Sequence, residues 1–320
     1  MPVIFALGHD DEPIPADIWD APIAGATISA SWAATEPRAR QYDWTVIDAD
    51  VIHAAEARKK VMIGVIPGIN TPAWVYNLGA RSVSLSWWIA AWGPLMGSVV
   101  RVPVPWDAVY LREWSAFVAA LGARYAGHPA VAGIKMAGIN AQTIEQVLPW
   151  HKAYFGPGAI DPLIAWRDAG YRPALLTGAW SQCLAAYPRA FPHMRLILQT
   201  GGWGMPPLDS TGASSAVGSR GDVALTESFM HQSYAALGAR LALANDGINA
   251  HWHWLAPIPG VPVGAQTSGP MTPNCERVWG AIPCDPVTTL RGVLTQAAGN
   301  AYLELYIPDI LNPHFAGMFE

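Results

Sequence analysis

Two carboxyl groups facing one another can divide acid–base work, one giving a proton to a leaving oxygen and the other attacking a carbon or activating water, as glycosidic cleavage among other reactions requires. The acids worth weighing are those at or just beyond the ends of apolar, strand-like runs. Glu36 follows the run ending at Trp32. Glu145 lies in the loop after Val131–Met136. Asp246 follows Arg240–Ala244. Glu304 sits inside Tyr302–Tyr306, with Asp309 just beyond. Alternation puts Tyr302, Glu304 and Tyr306 on one strand face and Leu303 and Leu305 on the other. If the leucines face helices, Glu304 points into a barrel. A charge there is costly unless it is functional or paired, for instance with Lys135. The sequence therefore nominates Glu145 as general acid and Glu304 as nucleophile. Asn140, Tyr306, Gln266, Asp246 and Glu36 line the same end as substrate-binding residues.

Tryptophan is the compositional outlier, at 16 of 320 residues. A buried indole N–H needs a partner, so cores favour other large residues, and an excess of Trp suggests flat platforms for sugar rings. Trp32, Trp74, Trp203 and Trp252 are the candidate platforms. Trp87, Trp88, Trp92 and Trp254 fall in the same kind of long connection. A tryptophan-rich core is the competing explanation. His251-Trp252-His253 raises a second chemistry, because an HxH in an extended segment presents both rings on one face. Two histidines do not complete a metal site, so His253 is read as a sugar contact and no metal or cofactor is assigned.

The elements that must position these residues alternate between strand and helix. Strands are expected at Val3–Leu7, Thr27–Trp32, Val61–Ile66, Val131–Met136, Arg195–Thr200, Arg240–Ala244, Val263–Gln266 and Ala301–Ile307. Helices are expected after the caps Asp43, Asp107 and Asp285, near Asp161–Asp168 and Ala174–Tyr187, and over Val223–Leu237. The clearest stripe is Tyr110, Trp114, Phe117, Val118, Leu121 and Tyr125, at offsets 0, 4, 7, 8, 11 and 15. Eight strands alternating with helices predict a single (β/α)8 barrel spanning residues 1–320. The strand-to-helix joints are the long ones: 67–105, 201–222 and 246–262. In such a barrel they all lie at the C-terminal face, where barrel enzymes keep their chemistry.

Composition narrows the classes. Hydrophobic residues make up 52% and charged ones 13%, which excludes disorder. The net charge is −5, with no basic run, so nucleic acid is not an expected partner. No stretch approaches the ~20 apolar residues of a membrane span. The N-terminus lacks the basic region and apolar length of a signal peptide, so the chain as given reads as cytoplasmic or as the exported part of a longer one. Three cysteines give no framework, though Cys275 and Cys284 could pair within one loop.

Thr35-Glu36-Pro37, Tyr42-Asp43-Trp44, Ile47-Asp48 and Val61–Pro67 together resemble the strand-two to strand-three region of clan A glycoside hydrolases, such as families 5 and 42. Pro103–Asp107 leading into a long helix, Tyr125…His128-Pro129, and the tail 301–309 extend the resemblance over most of the chain. It implies a retaining hydrolase of β-linked oligo- or polysaccharides, with carbohydrate as partner. The clan pattern breaks at two places. Its strand-four Asn-Glu is Asn140-Ala141 here, and its strand-seven glutamate is Gln266. A metal-dependent barrel hydrolase and a barrel that binds carbohydrate without cleaving it stay open as alternatives, and no oligomeric state is fixed.

Overall fold

The computed structural model describes residues 2–86, 98–141, 143–150, 159–200, 204–214, 221–248, 257–272, 275–276 and 284–319. Eight parallel strands close into a barrel: β1 (Val3–Leu7), β2 (Gly25–Ser31), β3 (Lys60–Ile66), β6 (Val131–Met136), β7 (Arg195–Thr200), β8 (Leu241–Ile248), β9 (Val263–Thr267) and β10 (Tyr302–Tyr306). β4 (Ser82–Ser86) and β5 (Val99–Pro103) form a separate antiparallel hairpin inside the first long connection. Periodicity did not mark that hairpin, because its strands are short and carry only partial alternation.

Between the strands run α1 (Ala16–Asp20), α2 (Trp32–Thr35), α3 (Thr45–Glu56), α4 (Ala73–Asn77), α5 (Ala108–Tyr125), α6 (Pro162–Asp168), α7 (Pro173–Ala190), α8 (Val223–Leu237), α9 (Pro286–Gln296) and α10 (Ile307–Ile310). The caps work as the sequence implies. Asp107 Oδ1 accepts from the amides of Val109 and Tyr110 at 2.9 and 3.0 Å, and Asp285 Oδ2 accepts from Thr288 N at 2.7 Å. Asp43 is the exception: it lies two positions before α3, with Trp44 at the cap position, and its Oδ1 accepts from Thr45 N at 3.0 Å without capping the helix.

Several strand boundaries shift by a residue or more, and two of the shifts matter for the site. The second barrel strand ends at Ser31, whose Oγ accepts from Ala34 N at 3.2 Å and turns the chain into α2, so Trp32 starts a helix instead of closing a strand. The sixth barrel strand runs on to Ile248, which places Asp246 within β8. Cys275 and Cys284 form a disulfide.

Two cores result. The larger lies between sheet and helices and takes the outward strand residues, including Ile63, Ile134, Leu196, Leu243, Leu303 and Leu305, against the α5 stripe. The smaller fills the lower barrel with Phe5, Met62, Ile197, Ala242, Ala244 and Tyr302. On six of the strands the next inward position toward the C-terminal face is polar (Thr27, Lys135, Gln199, Asp246, Gln266 and Glu304), while β3 places Gly64 there. The apolar plug below and the polar layer above set the floor of the site.

Candidate active site

Strand register assembles the polar layer. Asp246 on β8 pairs with Gln266 on β9, and Gln266 pairs with Glu304 on β10, so three inward side chains stand side by side on adjacent strands. Lys135 comes from β6, opposite. Its Nζ donates to Glu304 at 2.8 Å, and Thr27 Oγ1 donates to the other Glu304 oxygen. Lys135 and Glu304 are 2% and 0% exposed, so this ion pair is sealed inside the barrel. Both Glu304 oxygens are occupied, and no face of the carboxylate is open to a substrate. The structural ion pair, weighed against catalysis from the sequence, is what the side chain forms here.

Glu145 finds a different partner. It is half-buried and bonds through its side chain to Asp246, also half-buried, with Thr143 Oγ1 donating to Glu145 at 3.2 Å. Gln199 Nε2 donates both to Asp246 Oδ1 and to Gln266 Oε1, the latter at 3.1 Å. Two carboxyls can bond to each other only while they share a proton, since two like charges at that range repel. Desolvation raises the Glu145 pKa, against the opposing pull of its hydrogen bonds and of Lys135. Desolvation and then the Glu145 charge hold Asp246 well above the ordinary carboxylate range. The arrangement is two carboxyls in contact that titrate together as a pair. The sequence pairs Glu145 with Glu304; the structure joins Glu145 to Asp246 and Glu304 to Lys135.

The remaining candidates separate by exposure. Trp32 is fully buried, in edge-to-face contact with Trp74, Tyr110 and Trp114 and tilted against Phe117, and its Nε1 donates to Glu36 at 2.9 Å. No face of its ring is available as a platform. Glu36 is fully buried as well. It accepts from Trp32, from the Arg40 amide at 2.8 Å and from Arg40 Nη1 at 3.3 Å, and its carbonyl accepts from Trp74 Nε1 at 2.9 Å. Asn140 is buried, and its side chain staples its own loop by accepting from Gly138 N at 2.9 Å and donating to Thr143 O. Trp74, Gln266 and Tyr306 are half-buried. Trp203, Trp252 and His253, with Trp87, Trp88, Trp92, Trp254 and His251, lie outside the described residues.

Sequence reasoning named Lys135 only as a possible ion-pair partner of Glu304, the pair that forms here, and missed Gln199 as a member of the site. One signal pointed to them, a polar residue inside an otherwise apolar strand run: Lys135 in Val131–Met136 and Gln199 in Arg195–Thr200. Among the described residues no group of His, Cys, Asp or Glu is arranged to hold a metal ion, and no helix is long and apolar enough to cross a membrane.

No protein-family model matches the chain, and no curated protein matches it. Solved structures do. The catalytic domain of β-amylase from Paenibacillus polymyxa superposes with a TM-score of 0.54 at 12% identity, over 97% of this chain and 94% of that one. A β-galactosidase from the haloarchaeon Halorubrum lacusprofundi gives 0.53 at 13%, over 96% of this chain and 52% of that one, so the chain spans about half of that enzyme. Endo-glycoceramidase II from Rhodococcus sp. gives 0.50 at 15%, over 95% and 73%. Likeness at such identities is one of fold. The chain is a closed (β/α)8 barrel of the kind these glycosidases share.

Proposed function

We propose that the chain is a glycoside hydrolase acting on a β-linked oligo- or polysaccharide, with Glu145 as proton donor and Asp246 as the second working carboxylate. The observation that carries this reading is the Glu145–Asp246 pair. It joins two half-buried carboxyls at the C-terminal mouth of a barrel that glycosidases share, with one proton held between them. A raised pKa keeps a carboxyl protonated at neutral pH, which a general acid requires. The two groups are in contact, closer than the ~5–5.5 Å or ~6.5–9.5 Å that separate working pairs. In the closed pair the proton rests on Asp246, whose carboxyl is pushed up furthest, with Glu145 accepting its hydrogen bond. A sugar must part the two groups, and the proton must pass to Glu145 as they separate, leaving the charge on Asp246. Lys135 then balances that charge from below, anchored by Glu304.

The test is a screen of β-linked polysaccharides and aryl glycosides with wild type, Glu145→Gln and Asp246→Asn. Wild type releases new reducing ends, and each variant loses about 10²-fold or more, the usual worth of a positioned acid or base. Retention of activity in both variants rejects the assignment. A second reading, a barrel that binds carbohydrate without cleaving it, draws on the burial of Glu304 and on Ala141 and Gln266 at the positions where clan A barrels carry their acids. It predicts binding with no reducing ends after prolonged incubation.

A further inference from the structure

The segment that carries Glu145 does not stand clear of the barrel. It turns back over the mouth and sits in it. Ile144 packs against the inward face of β3 at Gly64, where an added Cβ would meet the Ile144 side chain at 3.3 Å and Lys135 Cβ at 3.5 Å. Gln146 is fully buried. Its amide donates to Gln199 O at 2.9 Å, and its Nε2 donates to Met136 O at 2.9 Å, the carbonyl ending β6. The start of the segment is tied down by Ile69 N donating to Ala141 O at 2.7 Å. Glycine at 64, with no side chain, makes the seat into which Ile144 fits.

We infer that the segment Thr143–Leu148 is a removable plug in the barrel mouth, latched by the proton shared between Glu145 on the plug and Asp246 on β8. The inference stands without the hydrolase reading, although it supplies that reading with a gate. The groups facing the latch are Lys135 on β6, Glu304 and Tyr302 on β10, Gln199 on β7, Gln266 on β9 and Thr143 on the plug itself. Lys135 is committed to Glu304, so removal of the shared proton leaves two adjacent carboxylates with only part of one cation between them. Repulsion then works against the seating of Ile144 and Gln146. Because the closed form binds the proton more tightly than the open one, the latch holds on the acid side and releases as pH rises.

The Gln146 amide is the natural reporter, since it is protected only while the plug touches β7. Hydrogen exchange of the peptide spanning 143–148, corrected for intrinsic rate, is to be followed from about pH 5 to about pH 9, with β10 amides as the reference for global opening. Wild type is expected to lose about tenfold or more of its protection in that segment while β10 holds. In Glu145→Gln and Asp246→Asn, an amide replaces one carboxyl and bonds the other without a shared proton, so protection becomes independent of pH. Constant protection in wild type overturns the proposal without reference to any variant. So does an equal pH-dependent loss in a folded Glu145→Gln or Asp246→Asn protein. Loss of glycosidase activity in those variants with pH-flat exchange in wild type would leave the hydrolase reading and remove the latch.

Discussion

Asp246 shows at the level of one residue how environment assigns chemistry. Its neighbours on β9 and β10, Gln266 and Glu304, share its strand level, yet only Asp246 meets Glu145. The sequence revealed that Glu304 faces inward, from the leucines flanking it, and offered Lys135 as one possible partner, but did not decide between that pair and catalysis. That depended on Lys135 pointing in from a strand on the far side of the barrel. Replacing Lys135 alone, for example Lys135→Met, leaves Glu304 buried with only Thr27 as partner. Breaking a buried pair this way costs about 3–5 kcal/mol, read as a fall in the denaturation midpoint. Changing both partners to apolar residues costs far less. Tyr302 offers a milder case. Its hydroxyl is buried with no hydrogen-bond partner, so Tyr302→Phe should leave stability unchanged or raise it by up to about 1 kcal/mol. Thermal denaturation of the two proteins side by side decides this.

Close approaches between elements left little trace in the sequence beyond an isolated glycine. Strand-helix alternation, the aspartate caps and the α5 stripe were legible because each is a local periodicity or a local hydrogen bond. The β4–β5 hairpin and the folding back of the β6 loop were not, since both depend on contacts between segments far apart in the chain. The extension of β8 to Ile248 was hidden by Asn245 and Asp246, which read as loop residues but pair with Ala265 and Gln266. Gly25 and Gly264 mark two of the tight joints. A Cβ on Gly25 would lie 1.7 Å from Lys60 O, and one on Gly264 would fall 2.0 Å from the Tyr302 ring. Gly264→Ala must displace that ring in the lower barrel core and should cost about 1–3 kcal/mol of stability. An alanine at the exposed Gly299, with open space around its Cβ, serves as control.

The whole molecule couples its stability to pH through buried acids outside the Glu145–Asp246 pair as well. Asp50 on α3 accepts from Ile14 N at 3.0 Å while its other oxygen has no partner, and burial raises its pKa to about 6. Asp309 on α10 accepts from Met271 N at 2.8 Å, again with one oxygen unpartnered, and burial raises it to about 7. A raised carboxyl holds its proton more tightly folded than unfolded. The stability these groups give is therefore complete in acid and is lost as pH climbs through about 6 for Asp50 and about 7 for Asp309. Denaturant midpoints measured across that window should fall, and Asp309→Asn should flatten the upper part of the decline.

Delivery of the proton to the leaving oxygen by Glu145 is read out by leaving-group dependence. Rates of Glu145→Gln and wild type are to be compared on an unactivated β-glycoside and on a dinitrophenyl glycoside, whose departing oxygen needs no proton. With Glu145 as proton donor, the loss is about 10²–10⁴-fold on the first and far smaller in the bond-breaking step on the second. Equal losses on both substrates, or no loss on either, would contradict that role.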